Sequence, residues 1–286
     1  MMATQGVVEY MSLPRMSALA EVVWSPAEGR EWGGFQQRLS EQFRRLDQMK
    51  VSYKNGVPRP IPEVAAVFFS DAGTVAFDPP PTDHLVLRCT CDDTDPGPES
   101  PLYQGPLRLS VDAVVKAAHF RPDGQRSNVT AVTFARVPRV DPSALEAGLD
   151  ARYAEGTWQA MPALEEMPAA AQKVAGIDLT IRRQEKFSAL WFTGFIRIEA
   201  AGLYTFTTGS GDGSILRIGP ATVVDNDGLH GYSECSGRVK MEAGVYPLAV
   251  GCFQGRWGAD LKVFMQAPGE EKQLLPQGLL CRSIGR

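Results

Sequence analysis

The sequence predicts a mainly β fold class: two β-sandwiches preceded by a short helical segment. Three observations carry that expectation. The 286 residues include 28 glycines and 21 prolines, about one residue in six where about one in eight is usual. From residue 62 onward, short β-prone runs alternate with clusters of Gly, Pro, Asn and Asp, which is how strands and turns are written in a sequence. Helical periodicity, in contrast, is confined to the first 50 residues. At roughly 150 residues per domain the length suits about two domains.

Composition excludes several function classes. Lys and Arg number 29 against 33 Asp and Glu, a net charge of −4, so the chain has no electrostatic footprint for nucleic acid or an anionic membrane. With 44% apolar and 22% charged residues it is not a largely disordered chain. No window approaches the ~18 consecutive apolar residues of a spanning helix. Met1 to Gly6 lacks the basic and apolar regions of a secretory signal, so either the protein is cytoplasmic or its native N-terminus lies upstream. Five cysteines, an odd number, and a Cys89-x-Cys91 pair one residue short of a zinc knuckle argue against a structural metal, as do the scattered His84, His119 and His230.

The elements follow in order. Tyr10, Leu13, Met16, Leu19, Ala20 and Val23 form one helical stripe, and Trp32, Phe35, Leu39, Phe43, Leu46 and Met49 a second, separated by Ser25-Pro26. Two such helices cannot bury both stripes against each other alone, so a partner surface is expected. After the Pro-rich connector 55–62, β-prone runs cover Val64–Phe69, Thr74–Phe77, His84–Cys91, Leu107–Leu109, Val111–Phe120 and Val129–Val137. That spacing suggests a small immunoglobulin-like sandwich. A second, larger sandwich is expected from Leu190–Ile198, Leu203–Thr208, Ser214–Ile218, Thr222–Val224, Arg238–Met241, Val245–Phe253 and Leu261–Met265. The expected domains are 1–56, 57–140 and 145–286. Neither sandwich holds a helical stripe, so an α/β enzyme core is not expected.

Each block also resembles a known module. The run from Glu9 to Pro26 (EYMSLPRMSALAEVVWSP), with Trp32 to Phe35, Leu39, Leu46-Asp47 and Val51-Ser52-Tyr53, resembles the end of the catalytic (β/α)8 TIM barrel of family-20 glycoside hydrolases, the β-N-acetylhexosaminidases. Asp92 to Pro96, Ser100 to Leu107, Val114 to Ala117 and Phe120 resemble the small β domain that follows that barrel in bacterial members. Leu203 to Phe206, Gly211 to Ser214, Val223 to Gly231 and Phe253 to Gly255 resemble the protective-antigen β-sandwich found in a bacterial toxin, yeast flocculins and many glycosidases. The resemblance implies a periplasmic or extracellular parent protein whose N-terminus lies upstream. In that family an Asp-Glu pair does the chemistry, the Glu as general acid and the Asp steering the substrate's own acetamido group. No Asp-Glu dipeptide occurs here, so no residue is assigned a catalytic role. The resemblance implies a non-catalytic accessory region that binds or positions carbohydrate, an N-acetylhexosamine-containing glycan. The alternatives are part of an active enzyme once the barrel is present, and domains that only brace their neighbours. The helical residues 9–49 are expected to meet the missing barrel or a second copy of the chain.

The candidate carbohydrate-binding residues are Trp257, Asp212, Asp225, Asp227 and His230. In calcium-dependent lectins of the protective-antigen type, two consecutive aspartates hold the ion. Here the first position is Gly211, which removes a hard oxygen ligand from an ion wanting six to eight. No cofactor is therefore expected, and a turn stabilised by backbone hydrogen bonds is the better account of Asp212. Asp225-Asn226-Asp227-Gly228 has part of an EF-hand pattern, but the first ligand position falls on Val223, and an Asx-type turn is preferred. Trp257 in Gly255-Arg256-Trp257-Gly258 suits either stacking on a pyranose or packing on a neighbouring domain. Trp24, Trp158 and Trp191 read as core. Cys235 and Cys252 flank an expected hairpin at Ala243-Gly244: a two-residue loop would put them opposite each other, within bridging reach, whereas a three-residue loop with a bulge, the preferred reading, takes them out of register.

Overall fold

The computed structural model describes residues 5–49, 51, 53, 58–80, 83, 85–138, 140–255 and 260–284. Among them the fold is mainly β, as expected. Helices α1 (Gln5–Ser12), α2 (Arg15–Trp24) and α3 (Trp32–Gln48) come first. Strands β1 (Pro60–Ile61), β2 (Ala66–Phe69), β3 (Gly73–Phe77), β4 (Val86–Thr90), β5 (Leu107–Leu109), β6 (Ala113–Phe120) and β7 (Thr130–Arg136) follow. The C-terminal half holds β8 (Leu145–Ala147), β9 (Leu149–Glu155), β10 (Gln172–Val174), β11 (Ser188–Ile198), β12 (Gly202–Ser210), β13 (Ser214–Ile218) and β14 (Ala221–Asn226). It ends with β15 (Ser233–Met241), β16 (Gly244–Gln254), β17 (Leu261–Gln266), β18 (Gln273–Leu274) and β19 (Leu280–Ser283). The chain divides into two compact units: Met1–Ile61 with Ala76–Pro106 and Val114–Ala131, and Pro62–Val75 with Leu107–Ala113 and Val132–Arg286.

In the first unit the expected single helix over Tyr10 to Val23 is broken at Pro14, which precedes α2. Proline has no amide hydrogen and its ring clashes with the carbonyl one turn back. Helix α3 is held by its last two turns. Phe43, Leu46 and Tyr53 are buried together, and the Phe43 and Tyr53 rings stack at 4.4 Å. The Arg121 guanidinium lies 4.0 Å from the Tyr53 ring centroid and donates to Asp47 and, at 3.2 Å, to Asp123. Tyr53 donates its own hydroxyl proton to Asp47 at 3.0 Å. Burial pushes the Tyr53 hydroxyl well above its ordinary pKa, with Asp47 adding to the rise and Arg121 opposing it. Helix α2 buries none of its residues. Met16, Leu19 and Val23 are exposed, and Trp24, expected in a core, is 86% exposed, because no described residue covers the face it ends. Beyond the helices, β4 pairs antiparallel with β6, Val86 opposite Phe120. The Ser100 to Pro106 turn lies along β4 through Cys89 N–H to Pro101 O and Tyr103 N–H to Leu87 O.

The second unit is a two-layer sandwich. One sheet runs β18-β17-β12-β15-β2-β7 and the other β10-β9-β11-β16-β13-β14, with β19 and β8 continuing beside β11. Strand β11 is the spine of the second layer. It pairs over its whole length with β16 on one side, and on the other first with β9 and then with β19. Gly194 marks that hand-over, since a Cβ there would stand 2.6 Å from the Cys281 carbonyl. Between the layers lie Phe192, Ile196, Tyr204, Phe206, Leu216, Val239, Tyr246 and Val250. Residues Ala66 and Phe68 of β2 join the same core, Phe68 meeting Tyr246 edge-on at 4.9 Å. Strand β2 is parallel to both β15 and β7.

The hairpin expected at Ala243-Gly244 is absent, because β15 and β16 lie in different layers. Cys235 sits opposite Thr208 on β12, Cys252 opposite Leu190 and Ser214, and both are free thiols. A short turn serves a corner between layers as well as a hairpin. Burial drives the Cys252 thiol up to about 12, so it behaves as a small apolar core residue. The layers approach closely at Gly237, where a Cβ would fall 1.7 Å from the Val223 carbonyl.

Two stability measurements test this packing. Gly237→Ala should destabilise the protein by ~1–3 kcal/mol or more in urea unfolding, as overpacking does. Asp47→Ala should cost ~1.5–3 kcal/mol, the scale of a charge-assisted hydrogen bond, with increased amide exchange in α3 but not in β11 or β16.

Candidate functional site

One end of this sandwich carries a cleft of ≈ 550 Å³. Its walls come from loops separated widely in sequence: Thr157, Trp158 and Gln159 after β9, Phe187 before β11, Asp212 between β12 and β13, Leu229 to Gly231 between β14 and β15, and Gly255 after β16. Carboxylates lock these loops together. Asp212, 4% exposed, accepts from Gly255 N–H at 2.8 Å and from Gln254 Nε2 at 3.0 Å. It therefore ties two loops rather than capping its own turn, as expected of it from sequence. Asp227 Oδ1 accepts from Gly228 N–H and from Met161 N–H, both at 2.8 Å. The second bond fastens the strap 156–167 to the cleft. Gly213 is required between them: a Cβ would lie 2.4 Å from Asp227 Oδ1 and 2.3 Å from the Phe253 ring.

His230 has both ring nitrogens on main-chain carbonyls, Nδ1 at 2.8 Å from Gly231 O and Nε2 at 3.0 Å from Asn226 O. A neutral imidazole donates only one of those bonds; the imidazolium donates both. Burial alone would lower the His230 pKa, but the two carbonyls and the Asp212 and Asp227 charges outweigh it, and the net direction is upward. Asn226 carries the loop inward. Its Nδ2 donates to Ser210 Oγ and to Ser233 O, each at 3.2 Å, and Ser210, Ser214 and Thr208 continue as a buried hydroxyl chain at 2.7 and 2.9 Å. Asp225 is exposed and makes the expected Asx-type bond, accepting from Asp227 N–H at 3.2 Å.

The structure thus places Asp212 and His230 in the cleft lining, while Asp227 ties the loop and strap beside it. Asp225 supports the loop from outside, and Trp257 lies outside the described residues. Sequence reading missed Trp158, Phe187 and Leu229 as wall residues. Trp158 is half-buried and packs on the Trp191 and Phe253 cluster; Trp191 itself is buried, as expected, and donates to Pro162 O at 3.0 Å. The only local signal for Trp158 was its glycine neighbour: a Cβ on Gly156 would sit 2.8 Å from the Trp158 ring.

The donors fit calcium poorly. Gly211 offers no side chain, and Asp212, Asp225 and Asp227 each commit an oxygen to protein N–H groups. Glu234, which the spacing puts twelfth in an EF-hand-like loop, lies on β15 and pairs with Lys272 at 2.5 Å. Among the described residues no group of three or more His, Cys, Asp or Glu converges as a metal site would.

Comparison with known proteins places this geometry. Residues 182–276 match the PA14 domain model and residues 84–134 the Fn3-associated model. The chain is similar to a β-hexosaminidase of Porphyromonas gingivalis (strain ATCC BAA-308 / W83), 24% identical over 284 residues, covering 92% of this chain and 36% of that protein. It spans about a third of that relative's length. Among solved structures it is similar to the PA14 domain of the MpAFP antifreeze protein, with 17% identity, 51% of this chain, 95% of that one and a TM-score of 0.41. A PA14 sugar-binding domain from an RTX adhesin gives 11% identity, 48% and 99% coverage and a TM-score of 0.35.

The His230 geometry sets a pH dependence. Because its folded pKa is raised, its contribution to loop stability is complete below the unfolded value of ~6.5 and is lost as pH rises through the folded value. Relative to its intrinsic rate, amide exchange in 226–231 should therefore accelerate as pH rises above ~6.5, while His230→Gln, with a single donor group, should show no such step.

Proposed function

We propose that this chain is a non-catalytic accessory region of a family-20 β-N-acetylhexosaminidase-like glycosidase, with a carbohydrate-binding or positioning role for N-acetylhexosamine-containing glycans. The observation that carries the reading is the cleft of ≈ 550 Å³ built around Asp212 and His230, within the segment that matches PA14. Its loops are pre-fixed by hydrogen bonds, which lowers the ordering cost of binding a small polar ligand. The protective-antigen resemblance supports a sugar as that ligand, and the similarity to a β-hexosaminidase supports the glycosidase context. The three expected domains, 1–56, 57–140 and 145–286, would then be the barrel end, an immunoglobulin-like domain and the protective-antigen-type sandwich.

The non-catalytic part rests on what the carboxylates do. Asp-Glu is absent from the sequence. In the helical segment Glu21, Glu41 and Asp47 are paired with Arg38, Arg44 and Arg121, as structural acids are, rather than facing a common space. A second reading is favoured by the bare face of α2: residues 9–49 seat against the rest of a catalytic barrel, and the whole protein hydrolyses terminal N-acetylhexosamine. Either reading puts the protein in the periplasm or outside the cell, where such glycans are met.

A glycan array followed by calorimetry tests the binding. The pure chain should bind at least one N-acetylhexosamine-containing glycan, His230→Ala should weaken that binding, and nitrophenyl N-acetylglucosaminide should not be turned over above background. Absence of binding across the array would leave only a bracing role. Reproducible hydrolysis by the pure chain would overturn the accessory reading.

A further inference from the structure

Two aromatic side chains, Phe187 and Trp158, line the cleft. Phe187 has φ of +53°, a backbone region that costs a bulky L-residue energy and persists only where surroundings impose it. Here they do: Phe187 N–H donates to Gly255 O at 3.2 Å, and Phe187 O accepts from Gly156 N–H at 2.8 Å. The ring remains 37% exposed at the cleft. A glycine would take this conformation freely, so the position holds a phenylalanine against its backbone preference. Trp158 is the second. Its ring lies over Gly156, and the strap bearing it is pinned at Met161 and Pro162. That strap lies outside residues 182–276, the segment matching PA14.

We infer that Phe187 and Trp158 form the specificity-determining platform of the cleft, stacking on the apolar C–H face of a pyranose ring. The cleft lining also holds His230, Gly231 and the exposed Thr157 and Gln159, polar groups available to the ring's hydroxyls. The ligand class is a neutral pyranoside with one continuous C–H face, recognised by stacking and dispersion and without a bridging cation. This rests on the carbohydrate-binding reading and adds to it the residues that choose the sugar.

The test uses the full chain with methyl β-glycosides of N-acetylglucosamine and N-acetylgalactosamine, by calorimetry and saturation-transfer NMR. Irradiating aromatic protons should saturate the ring C–H protons of the bound sugar in preference to its acetamido methyl. Phe187→Gly, which suits the positive φ, should keep the parent's fold by circular dichroism yet bind about tenfold more weakly or worse. Trp158→Phe, which keeps an aromatic on the strap, should show a smaller loss, and Trp158→Ala a larger one. If the parent binds a glycoside and Phe187→Gly and Trp158→Phe bind it equally well, the platform is wrong and the carbohydrate-binding reading survives. If the parent binds neither glycoside and nothing on the glycan array, both fall.

Discussion

Main-chain N–H groups at the end of a β-sandwich have lost their sheet partners and still need acceptors, and in this protein two aspartates meet that need for the whole cleft. Asp212 takes the amide that follows β16, and Asp227 takes one from its own loop and one from the strap after β9. The Asp212 bond joins the loop after β12 to the end of β16, and the Asp227–Met161 bond joins the loop after β14 to the strap. Trp158 and His230 each sit within a few residues of a tied amide, and Phe187 donates to the carbonyl of Gly255, whose own amide Asp212 holds. The same commitment makes these oxygens poor cation ligands. A carboxylate already accepting from protein donors has fewer lone pairs for a metal.

Much of the architecture was legible because β-prone runs punctuated by turn residues survive in the core strands. The runs Leu190–Ile198, Leu203–Thr208, Ser214–Ile218 and Val245–Phe253 lie within β11, β12, β13 and β16. Alternation reports which face of a strand is buried but not which strand it pairs with. Hence the turn 242–244 read as a hairpin, whereas β15 and β16 diverge into separate layers. The first half of β15, Ser233 to Gly237, carried no apolar signal at all, its outward and inward positions both being small or polar. Edge strands β8, β10 and β18 are two or three residues long, too short for any periodicity.

The site divides in the same way. Asp212, Asp227 and His230 stood out because charged or titratable residues inside glycine-rich loops are conspicuous. The aromatic walls did not, since an isolated Phe or Trp beside a strand reads as core. Only the three-dimensional meeting of strap, loop and strand end shows that Trp158 has one side on the Trp191 cluster and another on the cleft. Trp24 is the reverse case: its pattern predicted burial, and among the described residues its helix buries no side chain.

Strand β2 has a consequence for anyone who would treat the C-terminal sandwich as a portable cassette. It lies between β15 and β7 and contributes Ala66 and Phe68 to the core, although more than a hundred residues separate it from β15. Cutting the chain near residue 140 would strip that strand away, baring the hydrogen-bonding edge of β15 and opening a void beside Tyr246. Unpaired edges recruit strands from other molecules. A trimmed sandwich would tend to complete its sheet with a neighbour's strand, and polymerise or swap, while its ligand-facing loops at the other end of β15 stayed intact.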